Sequence, residues 1–199
     1  MDNLKNFDLL SDPITSFEQW FQKALTLEKD AYAMTLATAT PDGLPSARTV
    51  LFKGIKEGCF SFVTNYNSRK GQEIEANSKV ALCFYWQHFG RQVVVKGQAK
   101  KMSAQESKSY FQSRPFESQV ASYISQQSSP IESRDDLEKL YNEKLEEFKD
   151  SGVPYPENWG GYLIEPSEIE FFLYGKFRLN DRFSFKKEGS GWSVSRLQP

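Results

Sequence analysis

The chain has 199 residues, 39% hydrophobic and 26% charged, the balance of one globular domain that can bury a core without disulfide staples. A formal net charge of −1 gives no general attraction to nucleic acid or anionic membranes, and the longest apolar run, Val80 to Trp86, is far too short to span a bilayer. With His88 the single histidine and two scattered cysteines, a zinc site or a Ser-His-Asp or Cys-His centre is not expected, and no metal site is assigned.

A single domain over residues 1–199 is expected, with 1–12 as a flexible N-terminal segment. That segment carries acids and has no apolar signal core. Together with Cys59 and Cys83, read as buried free thiols, this points to a cytoplasmic protein. Thr15-Ser16-Phe17-Glu18 reads as a capping box, followed by an apolar helical face of Phe17, Trp20, Phe21, Ala24 and Leu25. Residues 33–40 and 45–53 form a predicted hairpin around Pro41-Asp42-Gly43, and 59–64 a third strand. Ser68 caps a short helix ending near Asn77. Residues 79–87 and 91–102 make a second hairpin. A capping box at Ser103 opens a helix that Pro115 interrupts, and 133–149 has helical spacing at Leu137, Leu140, Tyr141, Leu145 and Phe148, read as core or dimer packing. Four strands follow, at 161–164, 168–173, 178–185 and 192–197. The pattern predicts a mainly β fold, an antiparallel barrel with flanking α-helices.

Neither a P-loop nor a Rossmann glycine motif occurs, so an enzyme of this sequence would rely on a bound cofactor. Aromatics at 15% leave flat surfaces for a planar ligand, or simply fill a core. Four stretches stand out. Arg69 and Lys70 lie in the first helical turn after Ser68, against the helix dipole, which suits either a phosphate or a solvated surface pair. In 48–53 the alternation puts Arg48, Val50 and Phe52 on one face and Thr49, Leu51 and Lys53 on the other, so the cations reach a rim or meet an anion. Tyr110 and Arg114 share a helical face, with Ser118 just beyond Pro115, which fits a second phosphate or a plain helix corner. Arg178, Asn180 and Arg182 alternate as if along one strand face, an anion or ligand site.

These stretches, namely RTVLFK (48–53), TNYNSRKGQEIEAN (64–77), RQVVVKG (91–97), YFQSRPFESQ (110–119), SQQSS (125–129), ENWGGY (157–162) and IEFFLYGKFRLNDRF (169–183), resemble the pyridoxamine 5′-phosphate oxidase family, in order and from about Asp12 onward. The resemblance implies an FMN-binding split β-barrel of Greek-key type, paired as a homodimer with FMN at the interface. It implies that Arg48, Thr49, Val50, Leu51, Val63 and Thr64 line the flavin, that Ser68, Arg69 and Lys70 hold its phosphate, and that Gln92 contacts the ring. Gln127 and Ser128 would arrive from the partner subunit, and Phe172 and Arg182 would complete that site. Lys53, Tyr110, Arg114 and Ser118 would grip the phosphate of a pyridoxine-type substrate. Arg178 and Asn180 would lie against its ring as the catalytic pair, with dioxygen as acceptor and hydrogen peroxide as product. Asn180 stands where the family has His, Phe172 where it has Trp, and Val63 where an aromatic is common. Asn180 and Phe172 motivate one alternative, a non-catalytic flavin or pyridoxal-phosphate binder; a nicotinamide-dependent flavin reductase is another, against which the retained phosphate grip at Lys53, Tyr110, Arg114 and Ser118 argues.

Overall fold

The structure, a computed structural model, describes residues 7–199. In chain order the elements are α1 (Pro13–Leu27), β1 (Ala33–Ala39), β2 (Pro45–Leu51), β3 (Ile55–Lys56), β4 (Cys59–Asn65), α2 (Arg69–Ala76), β5 (Lys79–Trp86), β6 (Arg91–Lys101), α3 (Ala104–Gln112), α4 (Phe116–Ile124), α5 (Arg134–Phe148), β7 (Trp159–Leu173), β8 (Asp181–Glu188) and β9 (Gly191–Leu197). The strands form one antiparallel sheet in the order β2-β1-β5-β6-β7-β4-β3, with β8 and β9 continuing from β7. β7 is shared: its first half pairs with β4 and its second half with β8. At the seam, the segment joining β2 to β3 bonds to β4 through Lys53 N–H to Ser61 O and Ser61 N–H to Gly54 O, and no ladder joins β2 itself to β4. The sheet therefore curls toward a barrel and stays split.

α1 fills the interior. Phe17 is fully buried and meets Phe52, Phe60 and Phe84 ring against ring, while Trp20 packs edge-on to Phe171. The start of this helix differs from the predicted capping box. Asp12 is the cap, accepting from the Ile14 and Thr15 amides, and Pro13 takes the first position, where its missing N–H costs nothing. Ser16 is buried, and its hydroxyl donates to the Asp12 carbonyl. Of the segment 1–12, residues 1–6 lie outside the described residues; beyond them, Leu9 is buried and the Asp8 carbonyl accepts from Trp20 Nε1.

The C-terminal strands differ too. The two strands expected at 161–164 and 168–173 are one, β7, running through Pro166. Opposite Pro166 the register shifts between Lys96 and Gly97, and a Cβ on Gly97 would sit 2.1 Å from the Glu165 carbonyl oxygen. A bulge with glycine at the close approach accepts a proline that cannot donate to the ladder. The expected strand 178–185 begins instead at Asp181, after a tight turn over Lys176–Arg178 in which Phe177 and Arg178 both have positive φ. In α5 only Phe148 of the predicted apolar face is buried, and Leu140 stays 36% exposed.

Candidate active site

At the barrel seam, the end of β2, the end of β4, the start of α2 and the α3–α4 corner enclose a cleft of about 360 Å³. Lys53, Lys70 and Arg114 line it, and no carboxylate does. Thr49, Val50 and Leu51 form one wall and Val63 and Thr64 another, with Trp159 as an aromatic floor. Arg48, Val50 and Phe52 face inward, as the alternation predicts, and Thr49, Leu51 and Lys53 face outward.

α2 starts here because Ser68 caps it, accepting from the Gly71 amide while donating to the Asn65 carbonyl. A Cβ on Gly71 would collide with the Tyr66 carbonyl, so glycine lets the helix start pack onto the loop. Lys70 Nζ donates to Gln127 Oε1 at 2.7 Å and to Ser68 Oγ at 3.3 Å, both neutral partners. Among the described residues it has no carboxylate within ion-pair distance. Burial pushes its pKa down, the Arg48 charge adds to that, and Glu73 opposes it. A phosphate would reverse that balance. Arg114 donates to Ser122 Oγ at 2.7 Å and lies over the Trp159 ring, and burial lowers its pKa as well. Tyr110 stacks parallel to the same indole, and Trp159 thereby joins two of the expected phosphate-gripping residues. Ser118 sits in the first turn of α4, half-buried and outside the cleft lining.

Two family models match: pyridoxamine 5′-phosphate oxidase over residues 21–146, and a pyridoxine 5′-phosphate oxidase C-terminal dimerisation region over 159–199. A pyridoxine/pyridoxamine 5′-phosphate oxidase of Rubrobacter xylanophilus is 50% identical over 189 residues, covering 94% of this chain and 87% of the relative. The chain belongs to the pyridoxamine 5′-phosphate oxidase family. It is an oxidoreductase. Among solved structures, PhzG from Burkholderia lata, in complex with tetrahydrophenazine-1-carboxylic acid, is 30% identical with a TM-score of 0.92, over 100% of this chain and 98% of that one. A pyridoxamine 5′-phosphate oxidase-related, FMN-binding protein from Nostoc punctiforme shares the fold at 16% identity, with a TM-score of 0.77, over 96% and 100% of the two chains.

Nine of the family's expected site residues meet at the cleft, and three others lie apart in a row. Thr49, Val50, Leu51, Lys53, Val63, Thr64, Lys70, Arg114 and Gln127 line the cleft together. Gln127 and Ser128, expected from a partner, bond within their own chain: Gln127 Oε1 also accepts from Thr64 Oγ1, and Ser128 Oγ accepts from the Arg69 amide. Gln92, Phe172 and Arg182 are elsewhere, in a cross-strand row on the outer face of the sheet. Counted along the sheet from the β2 end, Gln92 on β6 is three strands away and Arg182 on β8 five. Arg182 pairs with Glu170 at 2.9 Å, lies over the Phe172 ring and donates to the Gln198 carbonyl. The expected single strand face of Arg178, Asn180 and Arg182 does not form. Arg178 is in the turn before β8, and Asn180 Oδ1 accepts from the Gly175 amide, closing that turn. Residues that sequence reasoning missed include Asn65, whose Nδ2 donates to the Ser125 carbonyl, and Trp159. The buried Glu73, bonded to both Arg48 and Arg69, was missed as well. Its spacing of four from Arg69 was the available signal.

No helix among the described residues is long and apolar enough to cross a membrane.

Proposed function

We propose that this chain is an FMN-dependent oxidase of pyridoxamine 5′-phosphate or pyridoxine 5′-phosphate, forming pyridoxal 5′-phosphate with dioxygen as acceptor and hydrogen peroxide as product. The observation that carries this reading is a cleft with three cations and no carboxylate, in which the half-buried Lys70 meets only neutral partners. Buried cations in want of an anion fit phosphoryl groups. The start of α2, with Arg69 and Lys70, would hold the FMN phosphate. β2 would run along the ring system, and Lys53, Arg114 and Tyr110 would take the substrate phosphate. Bound FMN would supply the hydride acceptor and the route of electrons to dioxygen. The protein's share is to anchor the substrate by its phosphate, set its reacting carbon against the ring, and keep water out.

The outer row of Gln92, Phe172 and Arg182, and the turn bearing Arg178 and Asn180, do not line the same chain's cleft. We assign them to the cleft of a second copy in a homodimer. The half-exposed Leu51, Tyr85 and Tyr174 on that face, and the match to a dimerisation region, support this. Free Cys59 and Cys83 fit a reducing, cytoplasmic setting.

The test is oxygen uptake by the flavin-loaded protein with each phosphorylated vitamer and with unphosphorylated pyridoxamine. Turnover on a phosphorylated vitamer is expected, with kcat/KM at least about a hundredfold lower when the phosphate is missing. Bound flavin without turnover on either vitamer would favour the non-catalytic alternative, and oxidation of reduced nicotinamide instead would favour the reductase.

A further inference from the structure

Glu73 is the one buried carboxylate among the described residues, 6% exposed. It lies on α2, one turn after Arg69. Its two oxygens receive four donors: Ser46 Oγ at 2.8 Å and Arg69 Nε at 3.0 Å on one, Thr38 Oγ1 at 2.5 Å and an Arg48 terminal nitrogen at 2.9 Å on the other. A carboxylate has about four lone-pair positions, so this one is saturated and has nothing left for a ligand or a proton. Burial alone would raise its pKa, and the bonds from Thr38, Ser46, Arg69 and Arg48 outweigh that and bring it to about 2.

The two arginines it holds differ in what remains free. The other terminal nitrogen of Arg48 donates to Thr38 Oγ1 and the Leu36 carbonyl, so Arg48 is spent inside the barrel wall. Arg69 uses only Nε on Glu73, and its terminal nitrogens bond nothing among the described residues while its side chain is 65% exposed. An exposed ion pair between helical neighbours would not hold a guanidinium still. Here one end is buried and tied to two strands.

We propose that Glu73 is a positioning residue: anchored by Thr38, Ser46 and Arg48, it grips Arg69 by Nε and so aims the terminal guanidinium fork at the phosphate held at the start of α2. Arg48, on this view, acts as a strut rather than as a direct contact of the cofactor. The inference rests on the reading of that anion as the FMN phosphate. It opposes what bare Coulomb interaction gives, since a carboxylate beside a phosphate site should weaken anion binding, and removing its charge should tighten it.

Apoprotein is titrated with FMN and with riboflavin, which lacks the phosphate, following the quenching of flavin fluorescence. Glu73→Gln is expected to weaken FMN about tenfold and to leave riboflavin within about twofold, since one oriented charged contact is at stake. Unchanged or tighter FMN binding would overturn the proposal. Arg69→Lys keeps the charge and gives up the Nε bond, and about the same loss for FMN alone is expected; affinity within about twofold of the parent would overturn it, also where Glu73→Gln does not fold. A parent protein that binds FMN no more tightly than riboflavin would remove the phosphate reading itself, and the role of Glu73 with it.

Discussion

The seam cleft and the β7–β8 end of the molecule both carry arginines, yet only one of them is ready to receive an anion. At the cleft, Lys70 and Arg114 are desolvated and bonded to neutral oxygens of Gln127 and Ser122. At the other end, Glu170 neutralises Arg182 and raises its pKa, while Asn180 is used to close a turn. Phe177 beside it is 92% exposed. The difference teaches that cation count is a poor guide to a binding site. What matters is which donors a cation has left once its own counter-charge is met. On the proposed reading, a single copy would build the phosphate-binding half of the site, and the half around Arg178 to Arg182 would serve a second copy.

The sharpest way to break this division is to prevent pairing. Tyr85 is 54% exposed on the outer face, so Tyr85→Glu should leave the monomer folded while burying an unpaired carboxylate in the proposed dimer. We expect dimer dissociation to rise by about a hundredfold or more by light scattering, with flavin lost in step. Unchanged mass would remove the division of labour between copies. Next, Arg114→Ala removes a charged contact of the cleft and should raise KM for the phosphorylated substrate by about ten- to a hundredfold, leaving FMN content as it was. A similar fall in flavin content would merge the two phosphate sites into one.

A smaller effect is expected in acid. The Glu73 pKa is depressed in the folded protein from 4.5 to about 2, so its contribution to stability is complete above 4.5 and is lost as the pH falls through that window. Thermal melting of the parent should drop there, and Glu73→Gln should show a shallower decline; equal slopes would show that this carboxylate is not the titrating group. The smallest effect belongs to the other end. Asn180→Ala removes one neutral hydrogen bond at the turn and should lower kcat/KM by about fivefold with FMN affinity intact. Loss of FMN would mean that the turn supports the flavin directly.

Much of this molecule follows from local rules. Ser68 and Ser103 cap their helices as their neighbours predict, the Pro41-Asp42-Gly43 turn closes the first hairpin, and the two cations of the α2 start meet the positive end of the helix. These features depend on backbone geometry and on partners within a few residues, which the order of amino acids determines directly. The family resemblance likewise named most of the residues that line the cleft.

What only the tertiary structure decided is which charge answers which. Lys70 meets Gln127 from 57 residues away and Arg48 meets Glu73 from 25. The expected strand carrying Arg178 broke into a turn, because the Asn180 side chain took the Gly175 amide and two residues adopted positive φ. Alternation along a sequence tells where a side chain points only while the backbone stays extended. Electrostatic pairing depends on distances between segments that the fold alone brings together, and for that reason the buried Glu73, ordinary in sequence, ties Arg48 and Arg69 together.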